Sequence, residues 1–137
     1  MRTLPIRPVS YQPIRGAVRG PLAGKTILIV EDEPLIALDL HAALRAAGAG
    51  LIAATTTLEA LSLIRRNEIS AAIVDVALGV GDSRDVCQAL FDRSIPFVFH
   101  TGHRNAPLLK EWPQALVLDK PTRHEGVVVA IARIARD

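Results

Sequence analysis

Four apolar stretches of this chain are each followed directly by polar residues, and this pattern constrains its fold more than any other feature. The stretches 26–30, 71–74, 97–100 and 116–119 are followed by Glu31 and Asp32, Asp75, Thr101, and Lys120. In an open α/β sheet the carboxyl ends of parallel strands share one edge, where ligands bind. We therefore expect three acids, a hydroxyl and an ammonium to meet there. Gathered carboxylates repel one another unless a cation joins them, so the pattern predicts a functional site.

The composition is typical of one soluble aliphatic domain. Half of the residues are apolar, few are aromatic, and the length allows a single sizeable core. The single cysteine, Cys87, excludes an internal disulfide framework and suits a reducing compartment. No apolar run approaches the roughly 20 residues of a membrane span, and residues 1–24 lack the apolar core of a signal peptide. These observations predict a cytoplasmic protein without membrane contact.

The amino-terminal 24 residues differ in charge from the rest of the chain. They carry four arginines and no acid, whereas residues 25–137 hold twelve basic and fourteen acidic side chains. Four prolines and three glycines interrupt any regular period in this segment. We predict a flexible basic extension over 1–24 and a domain over 25–137. The spaced arginines lack interleaved aromatic residues, so direct DNA binding is not expected.

Short β-rich runs alternate with helical patterns after residue 25, which predicts βαβ units and a five-stranded parallel sheet. Asp32 is the expected N-cap of the first helix, with Pro34 in its first turn and Gly48 after its end. A second helix is expected over 57–66, with Leu58, Leu61 and Ile64 facing inward.

The second half of the chain should contain three further helices. One is expected near 83–91, with Cys87 packed inside it. Pro107 and Pro113 leave room for only a short fourth helix, because proline is tolerated in a first turn but not in a helix interior. Thr122 and Glu125 form a capping-box pattern that predicts the start of the last helix.

Over residues 25–137 the chain resembles the receiver domain of bacterial response regulators. Ile29-Val-Glu-Asp-Glu-Pro34 is similar to the acidic turn of that family, and Val74-Asp75-Val76 to its phospho-acceptor strand end. Thr101-Gly102 resembles its hydroxyl switch, and Lys120-Pro121 its lysine and following proline. The order and the spacing make chance agreement improbable. The resemblance implies a flavodoxin-like, doubly wound α/β fold with strand order 2-1-3-4-5, helices on both faces, and a cis Lys120-Pro121 bond.

The resemblance also assigns a role to each site residue. Asp75 would be the phospho-acceptor, since a carboxylate can attack a phosphoryl group and hold it as an acyl phosphate. Mg²⁺ would be bound directly by Asp32 and Asp75, by the backbone carbonyl of Ala77, and by Glu31 through water. Lys120 would contact a phosphoryl oxygen, and Thr101 would donate a hydroxyl that reports phosphorylation.

Each assignment has a structural alternative. Asp32 could be only a helix N-cap, Thr101 only a β-branched strand residue, and Lys120 only a solvated loop charge. A packing role explains Asp75 least, because a carboxylate directly after an apolar central strand has no evident packing purpose. His100 and His103, near the expected pocket, are interpreted as orientation and surface residues rather than metal ligands, since the oxygen set already suits magnesium.

Three positions depart from the family pattern. Val117 stands where many receivers have an aromatic side chain that moves with the threonine. Phe99-His-Thr-Gly-His103 is similar to the Phe-Ala-Thr-Gly-Tyr signature of the FAT GUY group of receivers, which also lack that aromatic, but differs at His100 and His103. Thr122 replaces a frequent aromatic after Lys-Pro. The relay of a signal to the output surface is therefore expected to differ.

The leading hypothesis is a stand-alone receiver of a two-component or phosphorelay system. It would accept phosphate on Asp75 from a histidine kinase or histidine phosphotransfer protein and signal to a downstream protein, with a homodimer as one option. Its activity would be limited to magnesium-dependent self-phosphorylation and autodephosphorylation, so it would not be a conventional enzyme. The alternatives are a phosphate-independent adaptor and a small aspartate-nucleophile phosphatase, although Ala77 stands where common phosphatases have a second aspartate.

Overall fold

A computed structural model describes residues 20–136, which form a five-stranded parallel sheet with helices on both faces. We number the strands of this sheet β1 to β5. They are β1 Thr26–Val30, β2 Gly50–Ala54, β3 Ala71–Asp75, β4 Phe97–Thr101 and β5 Val117–Asp119. The order across the sheet is β2-β1-β3-β4-β5, and every neighbouring pair is parallel. This arrangement confirms the flavodoxin-like order predicted from the sequence.

Five helices connect or follow these strands. They are α1 Pro34–Ala46, α2 Thr57–Arg66, α3 Arg84–Asp92, α4 Pro107–Glu111 and α5 His124–Ile134. The fourth helix has only five residues, as its flanking prolines predicted. A small antiparallel hairpin between β3 and α3 pairs Ala77–Leu78 with Gly81–Asp82. Among residues 20–136, no helix combines the length and the apolar character needed to cross a membrane.

Strand alternation divides the core into two layers. Ile27 and Ile29 of β1 pack with α1 and α5, whereas Leu28 and Val30 of the same strand pack on the opposite face with α2 and α3. Successive side chains of a strand point to opposite faces, so a strand covered on both sides must be apolar throughout. All five residues of β3 are buried, which places its terminal Asp75 at the centre of the sheet edge.

A third, smaller cluster lies under α4. Val76, Cys87, Phe99 and Leu108 form it, so Cys87 is a packing residue as predicted. Burial raises the pKa of its thiol to about 12, which leaves the sulfur protonated and unreactive.

Three local predictions were wrong. The N-cap of α1 is Glu33 rather than Asp32, and its side chain makes no capping hydrogen bond. The last helix begins at His124 after Arg123, without a capping box; the Thr122 hydroxyl donates instead to the Asp119 carbonyl. Leu58 is 79% exposed. Each step of three residues back from Ile64 falls about 60° short of a full helical turn, so two such steps place position 58 away from the buried face.

The predicted extension lies mostly outside the described residues. Only residues 20–24 of it are described, where they form a turn against the end of α1. Leu22 is fully buried, and its N–H donates to the Ala47 carbonyl at 2.9 Å. The division of the chain at residue 24 stays a prediction.

Candidate functional site

The polar residues that follow the strands converge at the carboxyl edge of the sheet. Glu31 follows β1, Asp75 ends β3, Thr101 ends β4, and Lys120 follows β5. The register pairs Asp75 with His100 and Thr101 with Asp119, which brings these strand ends to one level. Glu31, Asp75 and Thr101 are buried. The sequence therefore anticipated which side chains meet.

Lys120 is the only cation in contact with the buried carboxylates of the described chain. Its Nζ lies 3.0 Å from Asp75 Oδ2, 3.0 Å from Glu31 Oε1 and 3.1 Å from Glu33 Oε1. The contacts with Asp75 and Glu33 are hydrogen bonds, whereas the contact with Glu31 is an ion pair without hydrogen-bond geometry. Burial opposes its charge, but Asp75 and Glu31 outweigh that effect and raise the pKa of Lys120. A single ammonium group thus contacts three carboxylates.

Three carboxylates form a compact cluster beside this lysine. Glu31, Asp32 and Asp75 each offer an oxygen, and these oxygens lie within 4.8 Å of one another. Asp32 accepts a hydrogen bond from the Gly79 N–H at 2.8 Å, and Asp75 accepts a longer one from the Ala77 N–H at 3.3 Å. Hard oxygen ligands at this spacing fit a divalent cation such as Mg²⁺.

Burial and neighbouring negative charge act together on Glu31. Desolvation, followed by the interaction with Asp75, raises the pKa of Glu31 to about 7, against an opposing effect of Lys120. Its other oxygen, Oε2, accepts from the Glu33 N–H at 3.2 Å. The raised pKa shows that this position disfavours a further negative charge, and an added cation would offset that effect.

Thr101 is oriented by the loop that follows β4. Its Oγ1 accepts a hydrogen bond from the His103 N–H at 2.9 Å, and its carbonyl accepts from the Lys120 N–H at 2.8 Å. The Lys120-Pro121 peptide is cis, as predicted. These contacts tie the two strand ends that carry the hydroxyl and the ammonium.

Sequence reasoning missed two features of the site. Glu33 was not assigned to the site; it is exposed, yet it binds Lys120 across 87 residues of sequence, and no local pattern signals that contact. His100 is 4% exposed, and burial followed by the Lys120 charge lowers the pKa of its ring. Its position one residue before Thr101 was a signal for burial, because strand alternation directs it to the opposite face from Phe99.

Comparison with known proteins identifies the fold. No protein-family model and no curated protein matches this chain. A putative response regulator from Chloroflexus aurantiacus J-10-fl is 29% identical, with a TM-score of 0.71 over 80% of this chain and 96% of that one. A CheY-like receiver domain protein from Methanospirillum hungatei JF-1 is 22% identical, with a TM-score of 0.72 over 80% and 91%. This is the receiver-domain fold of response regulators.

A third receiver-domain neighbour is a longer protein. The response regulator PhyR from Brucella abortus is 27% identical, with a TM-score of 0.73 over 90% of this chain. The receiver fold described here spans 52% of that protein. The likeness to these regulators favours a signalling domain over a classical enzyme.

Proposed function

We propose that this receiver fold is a phospho-accepting signalling domain, with Asp75 as the acceptor and Mg²⁺ as its cofactor. The observation that carries the proposal is the cluster of Glu31, Asp32 and Asp75 with Lys120 bonded to Asp75. A nucleophilic carboxylate, a cation-binding set and a cationic side chain are the parts that phosphoryl transfer needs.

The proposed reaction moves a phosphoryl group from a phosphohistidine to Asp75. An Asp75 oxygen attacks phosphorus, the phosphorus–nitrogen bond of the donor breaks, and the electron pair returns to the imidazole. The Lys120 ammonium then moves to a phosphoryl oxygen, and the Thr101 hydroxyl donates to another. Mg²⁺, held by Asp32, Asp75, the Ala77 carbonyl and Glu31 through water, would neutralise the charge on the phosphoryl oxygens.

The proposed partners follow from this chemistry. A histidine kinase or histidine phosphotransfer protein in the cytoplasm would supply the phosphoryl group, and a downstream protein would bind the phosphorylated domain.

Arg104 links the loop after Thr101 to β5, since its Nε donates to Asp119 Oδ1 at 2.7 Å and its Nη2 to the Val117 carbonyl at 3.2 Å. Movement of the backbone at Thr101 would therefore reach β5 through Arg104 rather than through an aromatic side chain.

The test is acid-labile labelling by a small phosphodonor such as acetyl phosphate, with Mg²⁺ and with a chelator. Wild-type protein should be labelled only with Mg²⁺, and Asp75→Asn should reduce labelling at least about 100-fold because an amide cannot form the acyl phosphate. Asp85→Asn, an exposed acid on α3, is the matched control and should be labelled normally. Label that persists in Asp75→Asn at another residue would refute the assignment, and an unlabelled wild type would favour the adaptor.

A further inference from the structure

His100 is a buried histidine whose ring nitrogens have no hydrogen-bond partner among the described residues. Neither Nδ1 nor Nε2 makes a hydrogen bond, although the side chain is 5% exposed. Buried polar groups nearly always have hydrogen-bond partners, so an unpaired one in a native structure requires an explanation. The receiver resemblance leaves this residue unexplained, since the similar signature has alanine at this position.

Another buried atom without a hydrogen bond lies beside this ring. His100 Nδ1 lies 4.0 Å from Glu31 Oε1, the oxygen that also accepts no hydrogen bond and whose close contact is the Lys120 ion pair. A gap of 4.0 Å closes to a direct hydrogen bond with a small side-chain rotation, or is spanned by one water. A neutral imidazole ring has one N–H donor and one acceptor to offer.

The Lys120 ammonium cannot contact Glu31 and a phosphoryl group equally closely. In the structure its ammonium is shared among Glu31, Glu33 and Asp75. A phosphoryl group on Asp75 would draw it away, and Glu31, which is 1% exposed, would lose the cation beside Oε1. A buried carboxylate oxygen that is left without a donor is unfavourable.

We propose that His100 is a positioning residue that donates a hydrogen bond to Glu31 Oε1 once Lys120 has moved to the phosphoryl group. The inference rests on the proposed phosphorylation of Asp75 and adds a residue to it. His100 lies outside the candidate metal cluster, which consists of Glu31, Asp32 and Asp75. It stabilises the phosphorylated arrangement selectively and contributes little to the arrangement in which Lys120 remains on Glu31.

The test measures two affinities on the full chain: Mg²⁺ alone, and beryllofluoride in saturating Mg²⁺ as a phosphoryl mimic. His100→Leu, which removes the donor, should weaken beryllofluoride binding at least about tenfold and change Mg²⁺ binding less than about twofold. His100→Asn keeps an N–H near the Nδ1 position and should stay within about threefold of wild type for both. His100→Gln places its amide near Nε2 instead and should behave like leucine.

A merely structural role would give a different pattern. It would lower the melting temperature and weaken both ligands together, with asparagine no better than glutamine, and that result would overturn the inference. If the leucine variant does not fold, the asparagine and glutamine pair decides the question. Combining His100→Gln with Glu31→Gln adds a second check: the effects should be less than additive for beryllofluoride.

The two proposals fail in distinguishable ways. A wild type that binds Mg²⁺ but not beryllofluoride, and is not labelled on Asp75, would remove the proposed function. A wild type that binds beryllofluoride with the same affinity as His100→Leu would leave the function intact and remove the role of His100.

Discussion

The two edges of the sheet use polar residues in opposite ways. At the amino edge, the Arg136 side chain donates to the carbonyls of Ile69, Arg93 and Ser94, at 3.3, 3.3 and 2.8 Å. Ser70 there accepts from the Thr26 N–H through its hydroxyl and from the Arg136 N–H through its carbonyl, both at 3.0 Å. The guanidinium of Arg136 therefore meets neutral acceptors at this edge.

At the carboxyl edge the acidic side chains outnumber the cations that contact them. Glu31, Glu33 and Asp75 share the single ammonium of Lys120, and the buried Glu31 Oε1 and His100 nitrogens have no hydrogen bond. An arrangement built for stability would pair these groups, as the amino edge does. The difference between the edges fits the proposal that stability and ligand binding are divided between the two ends of the strands.

Removing the charge of Lys120 should have the largest effect on stability. Lys120→Met leaves buried carboxylates without a counter-charge, so the free energy of unfolding without metal should fall by about 3 kcal/mol. Saturating Mg²⁺ should recover much of this loss, since binding to the folded state alone adds about 2.7 kcal/mol at 100 times Kd. Urea unfolding measures it, with Lys110→Met, an exposed lysine on α4, as the control. A loss that Mg²⁺ leaves unchanged would contradict the unbalanced-charge interpretation.

The matching substitution at the amino edge should lower the free energy of unfolding less, and Mg²⁺ should not restore the loss. Arg136→Met removes the side-chain hydrogen bonds to three carbonyls and should lower the free energy of unfolding by about 2 kcal/mol. Labelling of Asp75 should be normal in this variant. Arg133→Met, an exposed residue of α5, is the control. If Mg²⁺ rescued Arg136→Met as it does Lys120→Met, the proposed division between the edges would be wrong.

The acids of the carboxyl edge should differ among themselves in metal affinity. Asp32→Asn should raise the Kd for Mg²⁺ more than about tenfold, since a direct charged ligand is lost. Glu31→Gln should raise it less, since its contact is proposed to run through water. Calorimetric titration distinguishes them, and equal affinities for the wild type and both variants would remove the pocket model.

The smallest expected effect is a local change in hydrogen exchange. Beryllofluoride with Mg²⁺ should alter amide protection between Thr101 and Trp112, where backbone movement would carry the signal past Val117. Protection around Ser70 and Ser94 at the amino edge should stay constant. Changes confined to residues 35–66 would place the output surface on α1 and α2 instead.

The sequence predicted the sheet better than the helix ends. The central strands β1, β3 and β4 were recognisable because a strand covered on both faces must be apolar along its length, and β3 is the clearest case. Helix starts were less predictable, because capping depends on which of several competing local hydrogen bonds forms. Thr56 caps α2 through a bond from the Glu59 N–H, whereas the similar Thr122 donates to Asp119 instead.

The division between sequence and tertiary structure is sharpest in the site itself. The residue types and their positions at strand ends determined that Glu31, Asp32, Asp75, Thr101 and Lys120 would share one edge, because parallel strands align their carboxyl ends. Only the folded chain decided that Lys120 contacts Glu33 across 87 residues and that His100 lies beside Glu31. Such contacts depend on side-chain directions and on distances of a few ångströms between distant segments, which no local pattern encodes.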